Sequence, residues 1–307
     1  MNKTNSVGFI GAGKAGCSIG KYLTCGRIDI TNCYNDVNRG LGNGNYTGCD
    51  VTVTGYYSLI KEEARWAAAF TETEMFDTPN EVIAASDSII ISTPDREIKK
   101  VWDGLDKELI KGRIICHLSG SLSSDVFSGI ENYGGYPISI HPLFAFSDKE
   151  SAYKQLNNVC FTLEGHPYAV SIWEKILHSY GNETVSIQKE SKPKYHAAAS
   201  ILSNHVIAVL DTGYHLLTEC GFSEEQARKY TKTLVMTNVE HVIKDGSVSA
   251  LTGPIERNDI GTVKKHLDVL DDNGKKLYRT CAEILLGIAK EKNPERDYEE
   301  LKNIVGM

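Results

Sequence analysis

The chain lacks any apolar run long enough to cross a membrane, although its 307 residues can bury a full hydrophobic core. Its longest apolar runs, such as residues 88–92, have the length of a β-strand. The residues before Ser6 lack the apolar stretch of a secretory signal. We therefore expect a soluble, cytoplasmic protein with no membrane partner.

Closely spaced cysteine pairs are also missing. The eight cysteines include no C-x-x-C pair, the spacing that is typical of zinc and redox sites. They fall mostly inside apparent strands and helices, where a free cysteine behaves as a small buried hydrophobic residue. We expect neither a metal site nor disulfide bonds.

The sequence also has no excess of positive charge. The net charge is −7, and the 33 lysine and arginine residues are scattered along the chain. A nucleic-acid-binding protein would usually concentrate them on one surface. The expected partner is therefore a small molecule, and the length fits two domains of about 100–200 residues each.

Glycines dominate the stretch Ser6–Leu23, which reads as a short apolar strand, a turn and a helix. Gly11 would allow a sharp turn, Gly13 a close approach of the backbone to a pyrophosphate, and Gly16 close packing of the helix on the sheet. The helix N-terminus would then face the phosphates. A plain strand-turn-helix is the alternative. The predicted cofactor contacts here are Gly11, Ala12, Gly13, Lys14, Ala15 and Gly16.

Short apolar runs alternate with helical patterns as far as about residue 187. This alternation predicts an α/β domain, residues 1–190, with a Rossmann-like, doubly wound and mostly parallel sheet. Long helical patterns without a strand follow, and they predict an all-α domain over 191–307. We expect that domain to bind substrate and to form a homodimer through its C-terminal helices.

Two boundaries in the helical part carry sequence signals. One helix is predicted from Pro193 to near Cys220. Ser223 and Gln226 form a capping-box pattern that starts another, which we expect to end at Asp245–Gly246.

The second strand has two candidates. Residues 28–34 are followed by Asp36, whose spacing from the glycine loop suits the ribose 2′-hydroxyl of NAD. Val51–Tyr57 is followed by Ser58, which with nearby cations would suit the 2′-phosphate of NADP.

Seven short motifs together resemble one family. They are Y-Y-S, S-T-P-D, H-L-S-G, I-H-P, K-x-x-Y-H-A-A-A, S-N and L-T-G-P-I-E-R. This set resembles the Rossmann-like proteins with a C-terminal DUF2520 domain, which are related to ketopantoate reductases, pyrroline-5-carboxylate reductases and β-hydroxyacid dehydrogenases. The similarity extends from Ser6 to about Leu267.

The resemblance implies that Val51–Tyr57 is the second strand, which makes about 25–50 an insertion and Asp36 irrelevant to the cofactor. It implies NADP as the cofactor, with NAD as the alternative. In similar proteins an arginine follows Ser58, where this chain has Leu59, so Arg39 or Lys61 would supply the missing cation. Further contacts are expected from Tyr57, Ser58, Thr93, Pro94 and Asp95, because open α/β sheets bind ligands at their carboxyl edge.

A polar stripe marks the first long helix of the C-terminal part. At about 100° per residue, Lys192, His196, Ser200 and Ser203 share one side, with Asn204 beside them. A solvated face is the alternative. The resemblance implies that Lys192 and Asn204 meet the substrate carbonyl, and with His196 on the same stripe we predict all three as catalytic. We expect Lys192 at the helix start to act as general acid, because the helix dipole lowers its pKa, with His196 as the other candidate donor.

The predicted substrate residues lie on both sides of the domain boundary. They are Ser119, Gly120, His141, Ser203, Thr252 and Arg257. Arg257 would bind a substrate carboxylate through its planar guanidinium, with Asp259 as its partner or as a helix cap. His141 has the alternative of a structural strand-end histidine, and His117 is expected in the core. Relatives usually carry glycine at the position of Asn258.

The expected activity is an NAD(P)H-dependent reduction of a small 2-keto acid, with ketopantoate, the precursor of pantoate, as the leading substrate. An imine reductase of an amino-acid precursor is the second interpretation. A nucleotide sensor without turnover is the third, and the Lys192, His196 and Asn204 stripe argues against it, because a sensor needs no proton donor.

Overall fold

The computed structural model describes residues 5–25 and 51–306. The strand candidate at 28–34, Asp36 and Arg39 lie outside these residues. The chain divides into two compact units, the first ending at Ile201 and the second starting at Leu202. The predicted boundary at 190/191 lies earlier, because the first helix after it packs its buried lysine against the sheet of the first unit.

One eight-stranded sheet organises the first unit, in the order β3-β2-β1-β4-β5-β6-β7-β8. Its neighbouring strands are parallel, except that β7 runs antiparallel to β6. The prediction of an α/β fold with a doubly wound, mostly parallel sheet is confirmed. The strands are β1 (Asn5–Ile10), β2 (Val51–Tyr57), β3 (Glu74–Met75), β4 (Ser88–Ile91), β5 (Ile114–His117), β6 (Tyr136–Pro142), β7 (Phe161–Gly165) and β8 (Thr184–Ser186).

Helices cover both faces of this sheet. Adjacent strand residues point to opposite faces, so Ile90 packs in one buried cluster while Ile89 and Ile91 pack in the other. This explains why β4 is apolar without alternation. The helices of the first unit are α1 (Lys14–Cys25), α2 (Lys61–Thr71), α3 (Pro79–Ala85), α4 (Asp95–Gly104), α5 (Pro167–Ser179) and α6 (Lys192–Ser200).

The second unit contains only helices within residues 202–306. A separate apolar core, which includes Val263, Leu286 and Leu301, holds its later helices together. Among the described residues no helix is both long and apolar enough to cross a membrane. The helices are α7 (Val206–Glu219), α8 (Glu224–Ala250), α9 (Ile260–Val269), α10 (Asp272–Lys292) and α11 (Glu299–Val305).

One of the two helix predictions needs correction. The predicted helix from Pro193 to Cys220 is interrupted by a π-helical turn at Ile201–His205. The capping box at Ser223 is present, and the range of α8 joins two helical segments across Gly246, whose φ of 79° and ψ of 163° leave the helical region. The first segment therefore ends at Gly246, as predicted, and a second one continues to Ala250.

Candidate active site at the carboxyl edge of the sheet

The loop between β1 and α1 owes its shape to its glycines. Gly11 has a φ of 108°, and its N–H donates to the carbonyl of Tyr57 at 2.7 Å. A methyl group at Gly16 would overlap Ser92 Oγ, so α1 packs directly on the end of β4. A methyl at Gly13 would meet only the Ser92 carbonyl oxygen, at 3.6 Å, so the backbone stays open to approach. These three positions fit a dinucleotide pyrophosphate.

The N-terminus of α1 also suits an anion. Its first turn contains no acidic side chain, and Lys14 is exposed there. The positive end of the helix dipole is therefore not neutralised by the helix itself. At the end of β4, Thr93 Oγ1 is buried without a hydrogen-bond partner among the described residues, which leaves a polar group for a ligand.

The end of β2 presents little positive charge. Ser58 Oγ accepts from the N–H of Ile60 at 3.3 Å, and the side chain of Leu59 is 90% exposed. Lys61 Nζ lies 3.0 Å from Asp77 Oδ1 in an exposed ion pair. The cation predicted for a ribose phosphate thus already has a carboxylate neighbour.

Asp95, predicted to contact the cofactor with Pro94, has other partners. It is the first residue of α4, and its Oδ2 accepts from Ser119 Oγ at 2.6 Å and from Ser121 Oγ at 2.9 Å. The carboxylate therefore ties α4 to the loop after β5, and it holds the predicted substrate residue Ser119.

Lys192 is buried, with 1% of its surface exposed. Its Nζ donates to the Ser119 carbonyl at 2.9 Å and to Ser139 Oγ at 2.6 Å. Burial lowers its pKa to about 8, against the opposing effect of Glu164. The lowered pKa expected of Lys192 from the helix dipole is thus caused mainly by desolvation.

His141 and His196 converge on Gly120. A methyl group at Gly120 would lie 2.7 Å from His141 Nε2 and 2.7 Å from His196 Nδ1. The two rings meet edge to face, with centroids 6.1 Å apart. Burial, with the positive charge of Lys192 next in size, lowers the pKa of His141 to about 4. His141 is therefore neutral at pH 7, while His196 is exposed to solvent.

His117 supports the same loop from the core, as predicted. It is fully buried, its Nδ1 accepts from the Ser119 N–H at 3.1 Å, and its Nε2 bonds the Ser123 carbonyl at 3.2 Å. The ring thus fixes the backbone that leads into Gly120.

Sequence reasoning missed three side chains of this cluster. Tyr195 Oη lies 2.7 Å from His141 Nδ1 and accepts from Thr162 Oγ1 at 2.9 Å. Tyr195 follows Lys192 by three residues, one helical turn, and Ser139 precedes His141 by two, on the same face of β6. Both spacings were available as signals. Thr162 had no such signal, because only the pairing of β7 with β6 places it opposite His141.

The remaining predicted residues belong to the second unit. Ser203 and Asn204 lie exposed in the π-helical turn, and Ser203 Oγ donates to Asn204 Oδ1 at 3.2 Å. A π turn contains more residues than an α turn, so the 100° spacing used for the stripe does not extend past Ser200. Thr252 and Arg257 are exposed.

Asp259 caps a helix. Its carboxylate accepts from the Thr262 N–H at 3.0 Å at the start of α9, which selects the capping alternative. Asn258 has a φ of 57°. Asparagine tolerates this left-handed conformation better than other non-glycine residues, which explains how it stands where relatives carry glycine.

Two sequence families match the chain. Residues 51–142 match the Rossmann-like domain, and residues 159–284 match DUF2520, a domain of unknown function. The chain contains both domains. The DUF2520 match begins before β7, so it includes the end of the sheet, Lys192 and Tyr195. No curated protein matches the chain in sequence.

Solved structures share this fold. Protein TM1727 of Thermotoga maritima is 22% identical and has a TM-score of 0.68, with 93% of this chain and 99% of that chain covered. Protein BF3122 of Bacteroides fragilis, provisionally assigned as an NADP oxidoreductase, is 18% identical with a TM-score of 0.68 over 94% and 100%. Pyrroline carboxylate reductase of Plasmodium falciparum is 12% identical with a TM-score of 0.57 over 94% and 99%. At these identities the likeness establishes the fold alone.

Proposed function

We propose that this DUF2520 protein is an NAD(P)H-dependent oxidoreductase that reduces the carbonyl group of a small 2-keto acid. One observation carries the proposal: two imidazole nitrogens face Gly120 at the same sheet edge as an open glycine loop. That loop follows β1 and Gly120 follows β5, with only β4 between the two strands. At about 4.8 Å per strand the two strands are about 10 Å apart.

The hydride comes from a reduced nicotinamide when the cofactor is bound. The residues of the chain must then hold the carbonyl oxygen and deliver one proton. His196 is the exposed member of the pair at Gly120, so it can exchange its proton with solvent, and we assign it as the donor. Two N–H groups of Lys192 already donate to the Ser119 carbonyl and to Ser139 Oγ. We therefore assign Lys192 the role of fixing the position of the Ser119–Gly120 peptide.

NADP is the proposed cofactor, with NAD as the alternative. The Plasmodium reductase was solved with NADP bound, whereas an imine reductase of Myxococcus stipitatus was solved with NAD⁺. The absence of an acidic residue directly after β2, where Ser58, Leu59 and Ile60 follow, favours the phosphorylated form.

Ketopantoate remains the proposed substrate on the strength of the motif resemblance. Reduction of a cyclic imine is the second candidate, because the fold is shared with pyrroline-5-carboxylate reductases and imine reductases. The roles of Asn204, Ser203, Thr252 and Arg257 in substrate binding, and the homodimer, stay predictions.

A substrate panel tests the proposal. Ketopantoate, other 2-keto acids and 1-pyrroline-5-carboxylate are offered with NADPH and with NADH, and oxidation of the cofactor is followed by absorbance. We expect turnover of a 2-keto acid, lost in His196→Ala and kept in the control His241→Ala, an exposed histidine of α8. Turnover of the imine alone would select the second candidate, and cofactor binding without turnover would select the sensor.

A further inference from the structure

The hydrogen bonds around His141 fix more than the position of its ring. Thr162 Oγ1 donates to Tyr195 Oη at 2.9 Å, so the single phenolic proton of Tyr195 is free for His141 Nδ1, 2.7 Å away. Burial raises the pKa of Tyr195, which keeps the phenol protonated. In this arrangement Tyr195 can donate its proton to His141 Nδ1.

A neutral imidazole carries one proton, on the nitrogen that does not accept. In His141 that nitrogen is Nε2, the atom that would lie 2.7 Å from a methyl group at Gly120. The protonated nitrogen is thus the one that lies beside Gly120, and the bond from Tyr195 determines that the proton is there.

The neighbouring peptide adds a second donor. The carbonyl of Ser119 is bonded by Lys192 Nζ at 2.9 Å and by Ser139 Oγ at 3.2 Å. Because a trans peptide places its N–H opposite its carbonyl, the N–H of Gly120 points away from Lys192. The carbonyl of this peptide thus has two partners, whereas the Gly120 N–H has no hydrogen-bond partner among the described residues.

We propose that Tyr195 is a positioning residue that holds His141 with its proton on Nε2, so that the ring donates a hydrogen bond to the carbonyl oxygen of the substrate. This rests on the proposed reductase activity. Preorganised donors aimed at a developing oxyanion are among the largest contributions to catalysis, and a neutral histidine can serve as one. Removal of the phenolic hydroxyl frees Nδ1 to take the proton, which leaves Nε2 without a proton to donate to the oxygen.

The chain contains a matched control. In the second unit Tyr278 Oη lies 2.9 Å from His266 Nδ1, with ring centroids 5.6 Å apart, against 5.5 Å for Tyr195 and His141. Tyr278→Phe therefore breaks the same kind of bond in a pair that does not face Gly120.

The experiment is NMR of the full-length protein labelled with ¹⁵N-histidine, which identifies the protonated nitrogen of each ring, together with kinetics. We expect the wild type to show His141 with its proton on Nε2, and Tyr195→Phe to lose that single tautomer. Its kcat falls about 10- to 100-fold, while cofactor affinity and Tm stay near the wild type. Tyr278→Phe changes only the signals of His266 and leaves kcat unchanged.

The wild type with the His141 proton on Nδ1 would overturn the proposal. So would Tyr195→Phe with an unaltered tautomer and unaltered kcat. If the wild type turns over no substrate, the proposed function fails, whereas the NMR spectra still decide whether Tyr195 sets the tautomer.

Discussion

Two parts of the same sheet edge are built in different ways. Where β1 ends, the site is shaped by side chains that are missing, at Gly11, Gly13 and Gly16. Where β5 and β6 end, it is shaped by side chains that crowd around one glycine, Gly120. The first part uses backbone N–H groups and a helix dipole, so it suits an anion of any identity. The second uses oriented donors, so it suits a reaction.

The two parts of the sheet edge therefore differ in how well they tolerate amino-acid substitutions. A backbone site depends on a few consecutive residues and survives most substitutions around it. The histidine site depends on contacts from three strands (β5, β6 and β7) and two helices (α4 and α6), and each bond there orients another.

The largest expected effect is a loss of turnover in Gly120→Ala. The new methyl group would lie 2.7 Å from two imidazole nitrogens, closer than a methyl group can pack, so both rings must move. We expect kcat to fall about 100-fold, comparable to the loss of an oxyanion donor, with cofactor affinity unchanged.

Gly104→Ala is the control, since a methyl group there meets nothing within 4 Å. Wild-type turnover in Gly120→Ala would contradict the assignment of the active site to this glycine.

Gly13→Ala should weaken cofactor binding at the glycine loop that follows β1. Its methyl group meets Ser92 O at 3.6 Å, an ordinary contact, so folding is unaffected, but it fills the approach to the pyrophosphate. We expect the Kd for NADPH, measured by fluorescence titration, to rise about tenfold, equivalent to about 1.4 kcal/mol. Gly287→Ala, with open space around it, is the control. An unchanged Kd would show that the phosphates bind elsewhere.

Acidification should lower the free energy of unfolding through the buried histidines around Gly120. Burial lowers the pKa of His141 from 6.5 to about 4. The unfolded chain therefore binds more protons between these pH values, and the free energy of unfolding falls as the pH drops through this window. His141→Gln should reduce this slope in urea unfolding at pH 7, 6 and 5, and His117, whose pKa is lowered to about 4 in the same way, should retain part of it.

His241→Gln serves as a control for the loss of a histidine elsewhere. A slope in His141→Gln equal to that of the wild type would show that His141 does not stay neutral on folding.

The smallest expected effect is a change in the KM for NADPH in Lys61→Ala. Its partner Asp77 forms an exposed ion pair, which is worth about 0.2–1 kcal/mol. Lys61→Ala should raise the KM for NADPH up to about fivefold and leave the KM for NADH unchanged. Lys99→Ala, which removes an exposed lysine of α4, is the control. An equal change in KM for NADPH and NADH would show that Lys61 does not contact the ribose 2′-phosphate.

Local sequence determined the sheet, the glycine loop and the helix caps of this protein. Short apolar runs that alternate with helical patterns predicted the mostly parallel sheet, because central strands such as β4 and β5 are buried on both faces and so are continuously apolar. Likewise Ser223 and Gln226 predicted a capping box, because the two partners are three residues apart. Such features depend on neighbours in the chain, which a single sequence displays.

Only the tertiary structure decided what the polar residues do. Lys192 is held by Ser119, 73 positions earlier, and Tyr195 by Thr162, 33 positions earlier, through strands that pairing brings together. Its position at the carboxyl edge of the sheet predicted Asp95 as a cofactor contact, and only the fold shows that Ser119 and Ser121 are its partners within the chain. The sequence predicted some of the polar residues that meet around Gly120, but a hydrogen bond depends on distance in space, and the packing of three strands and two helices sets those distances.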